Sequence, residues 1–326
     1  MNDKSYIVVT GAAGFIGSCT VRHLNELGFE KLLLVDDIKK SEKWKNLVGK
    51  KFVKILSKHA LFEWLQGREK EIQAFIHLGA CSDTLETDGD YLLENNTRYT
   101  IRLAEYALTH GIRFIYASSA ATYGDGSRGF SDEHALLDEL KPLNLYGFSK
   151  HLFDLWAKRE AVLDKIVGLK YFNVFGPNEN HKGRMASMVY KMFPHVLQEG
   201  KIRLFKSSDP TRFKDGEQMR DFIYVKDAVE ATVDFLNNRV GGIYNIGMGA
   251  PTTWKVLAGA LFNAMKRPVE IEYIDMPGNL ASQYQNYTCA DMTKYFALRQ
   301  KKPFRYTIEN AAEDYATNYL MQDTRW

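Results

Sequence analysis

Tyr146 and Lys150 stand four residues apart in Tyr146-Gly147-Phe148-Ser149-Lys150, which puts both side chains on one face of a helix. An ammonium beside a phenol favours phenolate, so the pair predicts a tyrosine of lowered pKa that moves protons near neutral pH. Tyr-x-x-x-Lys alone is common on ordinary amphipathic helices; its surroundings give it weight. Ser118-Ser119 close the β-rich run Arg113 to Ala117, and ligands of open α/β sheets bind at the carboxyl ends of strands. A serine hydroxyl there can hydrogen-bond a reacting carbinol. At the other end of the sequence, Thr10-Gly11-Ala12-Ala13-Gly14-Phe15-Ile16-Gly17 lies between a strand-like run, Tyr6 to Val9, and a helical one, Gly14 to Leu27. Gly11 suits the tight turn, Gly14 a backbone close to a diphosphate, and Gly17 a helix packed against the strand. The free N–H groups and dipole at that helix start favour negative charge. Together these residues predict a nicotinamide dinucleotide lying against a strand-end serine, Tyr146 and Lys150, with Lys150 able to hold the nicotinamide ribose as well.

The dinucleotide's type is less sharply written. Asp36 ends the second strand-like run, Lys31 to Val35, where an acidic residue binds the adenine ribose 2′-hydroxyl of NAD. Asp37, Lys39, Lys40 and Lys43 follow at once, and a lysine folding back there would hold the 2′-phosphate of NADP.

These residues need a scaffold, and the sequence supplies one. Apolar runs at Ala74 to Leu78, Arg113 to Ala117, Val167 to Phe172, Asp221 to Val225 and Gly242 to Ile246 read as strands; Tyr91 to Leu108 and Leu145 to Leu163 read as helices. Strands alternating with helices predict an α/β fold, a Rossmann-type doubly wound parallel sheet with right-handed crossovers. After Asn173 the chain turns irregular at Gly176 to Arg184 and Ser207 to Gln218, which predicts a smaller, interleaved α/β substrate domain over the open end of the sheet. The expected division is 1–172 with 221–248 for the dinucleotide and 173–220 with 249–326 for the substrate.

The 326 residues are 45% apolar and 25% charged, with a net charge of +3. That suits a globular protein with a real core, and the absence of a clustered basic block argues against nucleic acid. Cys19, Cys81 and Cys289 are too few and too scattered for a disulfide framework or zinc site, so no metal is expected. The polar N-terminus lacks a signal peptide's apolar core, and no window approaches the ~18 apolar residues of a membrane span, so a cytoplasmic protein is expected.

Read end to end, the chain resembles the extended short-chain dehydrogenase/reductase family. Thr10 to Gly17, His77-Leu78-Gly79-Ala80, Ser118 to Gly124, Tyr146 to Lys150 and Tyr171 to Pro177 carry the resemblance. It implies Ser119, Tyr146 and Lys150 as the catalytic trio. Around the dinucleotide it implies Phe15, Ile16, Asp37, Lys43, Lys58, Leu78, Gly79, Ala80, Cys81, Ser82, Asn95 and Val174. Gly79 to Ser82, Pro142 to Asp154 and above all His181-Lys182-Gly183-Arg184-Met185-Ala186-Ser187 resemble the branch of that family that inverts C6″ of ADP-heptoses for lipopolysaccharide core. That resemblance implies NADP, a homo-oligomer, and Lys182 as a second acid/base group serving the epimer that Tyr146 does not; a lysine gripping phosphate or cofactor is the alternative. It implies Asn173, Arg184, Lys191, Phe205, Lys206, Ser207, Ser208, Arg220 and Tyr284 at the nucleotide sugar. Arg220 has the donor fork for a diphosphate, and equally for a surface ion pair. Arg184 stands where the branch has a small serine, Lys191 where it has histidine, and Ser207 to Met219 is longer than its counterpart. A 4-epimerase or 4,6-dehydratase is the nearest rival. A dehydratase would carry an Asp-Glu pair near Thr122, and Ala121-Thr122-Tyr123 has no carboxylate. A non-catalytic NADP-binding regulator typically loses the tyrosine or lysine, and both are present.

Overall fold

The structure, a computed structural model, describes residues 5–277, 285–300 and 302–326. Its strands in chain order are β1 (Tyr6–Thr10), β2 (Leu32–Val35), β3 (Lys54–Leu56), β4 (Ile72–His77), β5 (Arg113–Ser119) and β6 (Val167–Tyr171). Then come β7 (Asn173–Phe175), β8 (Ile202–Phe205), β9 (Met219–Arg220), β10 (Phe222–Tyr224), β11 (Gly242–Ile246), β12 (Thr252–Thr253) and β13 (Ile271–Ile274). Seven of them form one sheet in the order β3-β2-β1-β4-β5-β6-β11. All its pairings are parallel. Every residue of β2, β6 and β11 is buried, which is why those runs show no apolar/polar alternation; only Lys170 in β6 and Asn245 in β11 carry charged or amide groups into the interior. After β3 the chain returns across β1 to β4. That reversal opens a crevice beyond the carboxyl ends of β1 and β4, where open α/β sheets hold their ligands. Helices Phe15–Glu26 and Val225–Asp234 pack together, as do Tyr99–Thr109 and Leu145–Arg159, covering the sheet.

The second, smaller core gathers Phe175, Val189, Leu204, Leu257, Leu261 and Tyr315. Its scaffolding is three two-stranded ribbons, β10 with β7, β12 with β9 and β13 with β8. Asp221 to Val225, expected as a strand of the main sheet, is therefore corrected: β10 joins β7, and the chain re-enters the main sheet only at β11. The side-chain alternation explains the choice. Phe222 and Tyr224 point into the smaller core and Ile223 into the larger, so β10 is wedged between the two. Ala290, Met292 and Tyr295, expected in the substrate portion, pack into the larger core. The expected single helix from Tyr91 to Leu108 is instead Gly89–Leu92, a π-helical turn Leu93–Arg98, then Tyr99–Thr109. Among the described residues no helix is long and apolar enough to cross a membrane.

Candidate active site

The crevice is a cavity of about 790 Å³. Its floor is the glycine loop. Gly11 has φ +66°, and a Cβ there would lie 2.7 Å from the backbone of Gly79. A Cβ on Gly17 would come within 2.0 Å of the Gly11 carbonyl. Both glycines are forced by close approach of main chains. Gly14 caps the helix Phe15–Glu26 without a side-chain bond, and the first turn holds no acidic residue. The first N–H groups therefore remain available to an anion at the cavity, which fits a dinucleotide diphosphate.

At one end of the cavity, Asp36 accepts from the Ala13 amide at 2.8 Å and pairs with Lys43 Nζ at 2.6 Å. Asp37 accepts from Ser57 and the Lys58 amide; burial opposes this, but these bonds hold its carboxyl below the usual range. Lys58 Nζ donates to Asn95 Oδ1 at 2.6 Å. Lys39, at φ +49°, also lines the wall. The π-helical turn presents two neighbouring asparagines differently. Asn95 faces the cavity. Asn96 is buried and clamps both polar groups of the Cys81 backbone, 2.8 and 2.9 Å away, fixing the Leu78–Ser82 wall. Buried His77 ties the ends of β1 and β4 to the start of the helix Tyr99–Thr109, bonding Thr10 at 2.6 Å and Thr100 at 2.9 Å. Burial drops its pKa to about 3 and Lys150 pushes it the same way, so it is a neutral strut.

Asn144 starts the helix Leu145–Arg159 by accepting from the Gly147 amide at 2.8 Å, so Tyr146 and Lys150 lie on its first turns. The Tyr146 phenol hydrogen-bonds Ser119. Burial raises its pKa, Ser119 lowers it in part, and Lys150 is not among the groups that act on it. This corrects the lowered phenol expected from the spacing. The physical reason is that Lys150 Nζ is turned to the Ala117 carbonyl, 2.8 Å away. Burial brings Lys150 itself down to about 8, against the charge of Asp154.

Lys182 reaches the same cavity from a separate turn, Asn180–Met185, its Nζ 5.5 Å from the Phe15 ring centroid. Burial lowers its pKa; Glu179 opposes the shift and Lys191 adds to it. Its turn is well anchored. Buried Asn46 donates to the carbonyls of Ala13 and Asn178, each at 3.0 Å, so glycine loop and Lys182 turn share one linker. His181, also lining the cavity, is brought to about 4 by burial and by the charges of Lys182 and Lys43.

Every residue expected at the dinucleotide or in catalysis lines this one cavity: Gly11, Gly14, Phe15, Ile16 and Gly17 on the floor, Asp36, Asp37, Lys43 and Lys58 at one end, Leu78 to Ser82 and Asn95 along the wall, and Ser119, Tyr146, Lys150, Val174 and Lys182. The residues expected at the sugar nucleotide do not converge in this way. Asn173 lines the cavity. Arg184 is exposed and paired with Asp83 instead; Lys191 reaches only the Arg184 carbonyl, 2.6 Å away. Phe205 ends β8 and Lys206, Ser207 and Ser208 follow it, all outside the cavity lining, with Lys206 on Asp275 at 2.9 Å and Ser208 on Asn286 at 3.2 Å. Arg220 is buried, not a surface residue; it lies outside the lining and behind Trp254, its guanidinium 5.8 Å from the ring. Tyr284 lies outside the described residues. His181, Asn46, Asn96 and Trp254 were missed by sequence reasoning. Only His181 had a signal, its place beside Lys182.

Residues 7–247 match the model of the NAD dependent epimerase/dehydratase family. The chain is 50% identical to the ADP-L-glycero-D-manno-heptose-6-epimerase of Nitratidesulfovibrio vulgaris (strain DP4), covering 96% of this chain and 97% of that one. It is 43% identical to the enzyme of the same name from Fusobacterium nucleatum, over 97% and 98% of the two chains. Among solved structures, the Helicobacter pylori ADP-L-glycero-D-manno-heptose-6-epimerase superposes with a TM-score of 0.78 at 26% identity, over 97% and 96% of the chains. A UDP-glucuronic acid 4-epimerase from Bacillus cereus shares the fold, with a TM-score of 0.76 at 24% identity over 97% and 99%. With its sheet order, its glycine loop and these relatives taken together, the chain belongs to the NAD dependent epimerase/dehydratase family, within the extended short-chain dehydrogenases/reductases that its motifs resemble.

Proposed function

We propose that the protein interconverts the D-glycero and L-glycero forms of ADP-manno-heptose by inverting C6″, with a resident NADP. The observation that carries the reading is the meeting of two proton-transfer groups from distant segments, Tyr146 and Lys182, in the cavity floored by the glycine loop. A stereocentre bearing a hydroxyl is inverted through a ketone presented to the redox cofactor in two orientations. When bound, the dinucleotide would be held by the glycine loop and Lys150 and would supply the hydride acceptor and donor for C6″. Tyr146 Oη takes the hydroxyl proton of one epimer while Ser119 holds the oxygen, and Lys182 Nζ serves the other epimer. Burial helps the lysine, because it lowers its pKa towards the working range. Lys150, its ammonium at the Ala117 carbonyl beside the cavity, would bind the nicotinamide ribose.

The support for NADP over NAD is the cluster of Lys39, Lys43 and Lys58 around Asp36 and Asp37. Lys43 already neutralises Asp36, the carboxylate that would otherwise repel a 2′-phosphate. In this reading the unit of the larger core, with Gly242–Ile246 and Ala290 to Tyr295, carries the dinucleotide, and the unit of the smaller core, with Phe222 and Tyr224, carries the substrate. The protein would act as a homo-oligomer, supplying heptose for lipopolysaccharide core.

The direct test incubates the protein with ADP-D-glycero-D-manno-heptose and follows C6″ configuration by NMR. Inversion without net redox change is expected. No inversion there, with inversion of a UDP-sugar instead, overturns the reading. Mass spectrometry of the extracted cofactor should give NADP, and light scattering a mass above the 37.4 kDa of one chain; NAD, or a single-chain mass, would sink those parts.

A further inference from the structure

Beneath the cavity lies a buried ion pair that the reaction above does not use. Asp154 and Lys170 are each 0% exposed, with Lys170 Nζ 3.7 Å from Asp154 Oδ2. Burying two charges commonly costs more than their attraction returns, and an apolar pair of similar volume is often as stable. Stability therefore does not account for the pair, and its contacts suggest another purpose.

Asp154 stands four residues after Lys150 and eight after Tyr146, so the three share one stripe of the helix Leu145–Arg159. That stripe grips successive residues of β5. Tyr146 bonds Ser119. Lys150 donates to the Ala117 carbonyl at 2.8 Å. Asp154 accepts from Ser118 Oγ at 2.7 Å and from Tyr116 OH at 2.9 Å. Lys170, from β6, closes the arrangement by donating to Thr122 Oγ1 at 2.9 Å; the Thr122 hydroxyl donates in turn to the Ser119 carbonyl at 2.8 Å. Ser119 is thus held from three sides, and two of those ties run through the Asp154–Lys170 pair.

We propose that Asp154, backed by Lys170, is a positioning residue for proton transfer: it locks the strand end that carries Ser119 and supplies the negative charge that Lys150 faces from its own helix. The inference rests on the reading of Ser119, Tyr146 and Lys150 as the acid/base trio. The electrostatics agree with the geometry. Burial pushes Lys150 down to about 8, and Asp154 is the charge that resists. The other titratable groups nearby are His77 from β4, His151 on the same helix, Tyr116 and Tyr123, and His134, with Asp132 acting on Lys170. Burial keeps all three histidines below their ordinary value, so Asp154 is the main counter-charge to Lys150 near neutral pH.

The test is an NMR titration of the full-length protein carrying ¹³C at lysine Cε, with Lys150→Arg identifying the resonance, alongside pH profiles of epimerisation. In Asp154→Asn the Lys150 midpoint should fall by about one pH unit or more, because burial is then unopposed. The alkaline limb of kcat should move down with it while KM stays within about twofold. Ser118→Ala removes a tie to the strand but keeps the charge, so kcat should fall with the Lys150 midpoint unchanged. Lys170→Met, the second variant if Asp154→Asn does not fold, should raise the midpoint by removing a like charge. A midpoint that stays put in both charge variants overturns the inference. Failure of the wild-type protein to invert ADP-heptose would instead sink the functional reading, and the titration would still decide the role of Asp154.

Discussion

The two ends of the cavity were written into the sequence in different ways. At the dinucleotide end, main chain makes the site. Gly11 and Gly17 are demanded by contacts of 2.7 and 2.0 Å that any side chain would violate, and the diphosphate would meet backbone N–H groups. At the sugar-nucleotide end the expected ligands are long side chains on the Asn180–Met185 turn, just after β8 and on β9, and in this structure they turn to other partners: Arg184 to Asp83, Lys206 to Asp275, Arg220 to the back of Trp254. A site made of main chain is preformed with the fold, whereas one made of flexible side chains is completed by its ligand. Removing groups at the preformed end and at the chemistry should therefore cost far more than removing exposed groups at the other.

The largest effect belongs to Tyr146→Phe. Loss of the phenol oxygen should lower kcat by about 10²- to 10⁴-fold, the usual worth of general acid–base catalysis. The dinucleotide should stay bound, because the glycine loop is untouched. Near-normal turnover would remove Tyr146 from the chemistry. Lys182→Met comes next, with kcat expected to fall by at least about 10²-fold. The split between kcat and KM matters most here: a rise in KM alone would make Lys182 a ligand-gripping lysine and leave the cavity one proton-transfer group.

The legibility of the site follows the same division. Short motifs that constrain main chain were readable because their physics is local: strand, glycine turn and helix at Thr10 to Gly17, and the four-residue spacing of Tyr146 and Lys150 on one helix. The sheet was readable as β/α alternation, but β10 was misplaced, since choosing between two sheets depends on which cores Phe222 and Ile223 reach. Asn46 and Asn96 were invisible for a related reason. Their value lies in joining segments distant in sequence: 33 residues separate Asn46 from Ala13, and 132 from Asn178. The π-helical turn that sends Asn95 to the cavity and Asn96 inward breaks the regular periodicity on which a helix is recognised. Lys150 misled for yet another reason. Its spacing from Tyr146 was right, but its ammonium went to a carbonyl.

Lys43→Ala gives a smaller and more selective effect. Its ammonium lies 2.6 Å from Asp36 and is only partly exposed, so removing it leaves an uncompensated carboxylate facing the ribose. Affinity for NADP should fall by about tenfold, the equivalent of 1.4 kcal/mol. Affinity for NAD should hold or improve, because a free Asp36 can accept from the 2′-hydroxyl. Equal loss for both dinucleotides, measured by fluorescence titration of cofactor-free protein, would contradict the assignment.

The smallest effect should come from Arg184→Ala, and it tests the comparison most sharply. Resemblance places a substrate contact at this position, but the structure shows an exposed guanidinium paired with Asp83. Exposed ion pairs are worth about 0–1 kcal/mol, so stability should hardly change. If the far end of the cavity is as it stands here, kcat and KM should both remain within about twofold, since the arginine does not itself line the cavity. If substrate instead draws Arg184 off Asp83 and onto a phosphate, the variant should raise KM severalfold at constant kcat, and Asp83→Asn should lower it by freeing the arginine. That paired outcome would show that the sugar-nucleotide end is assembled by its ligand, with Asp83 holding Arg184 in reserve until substrate arrives.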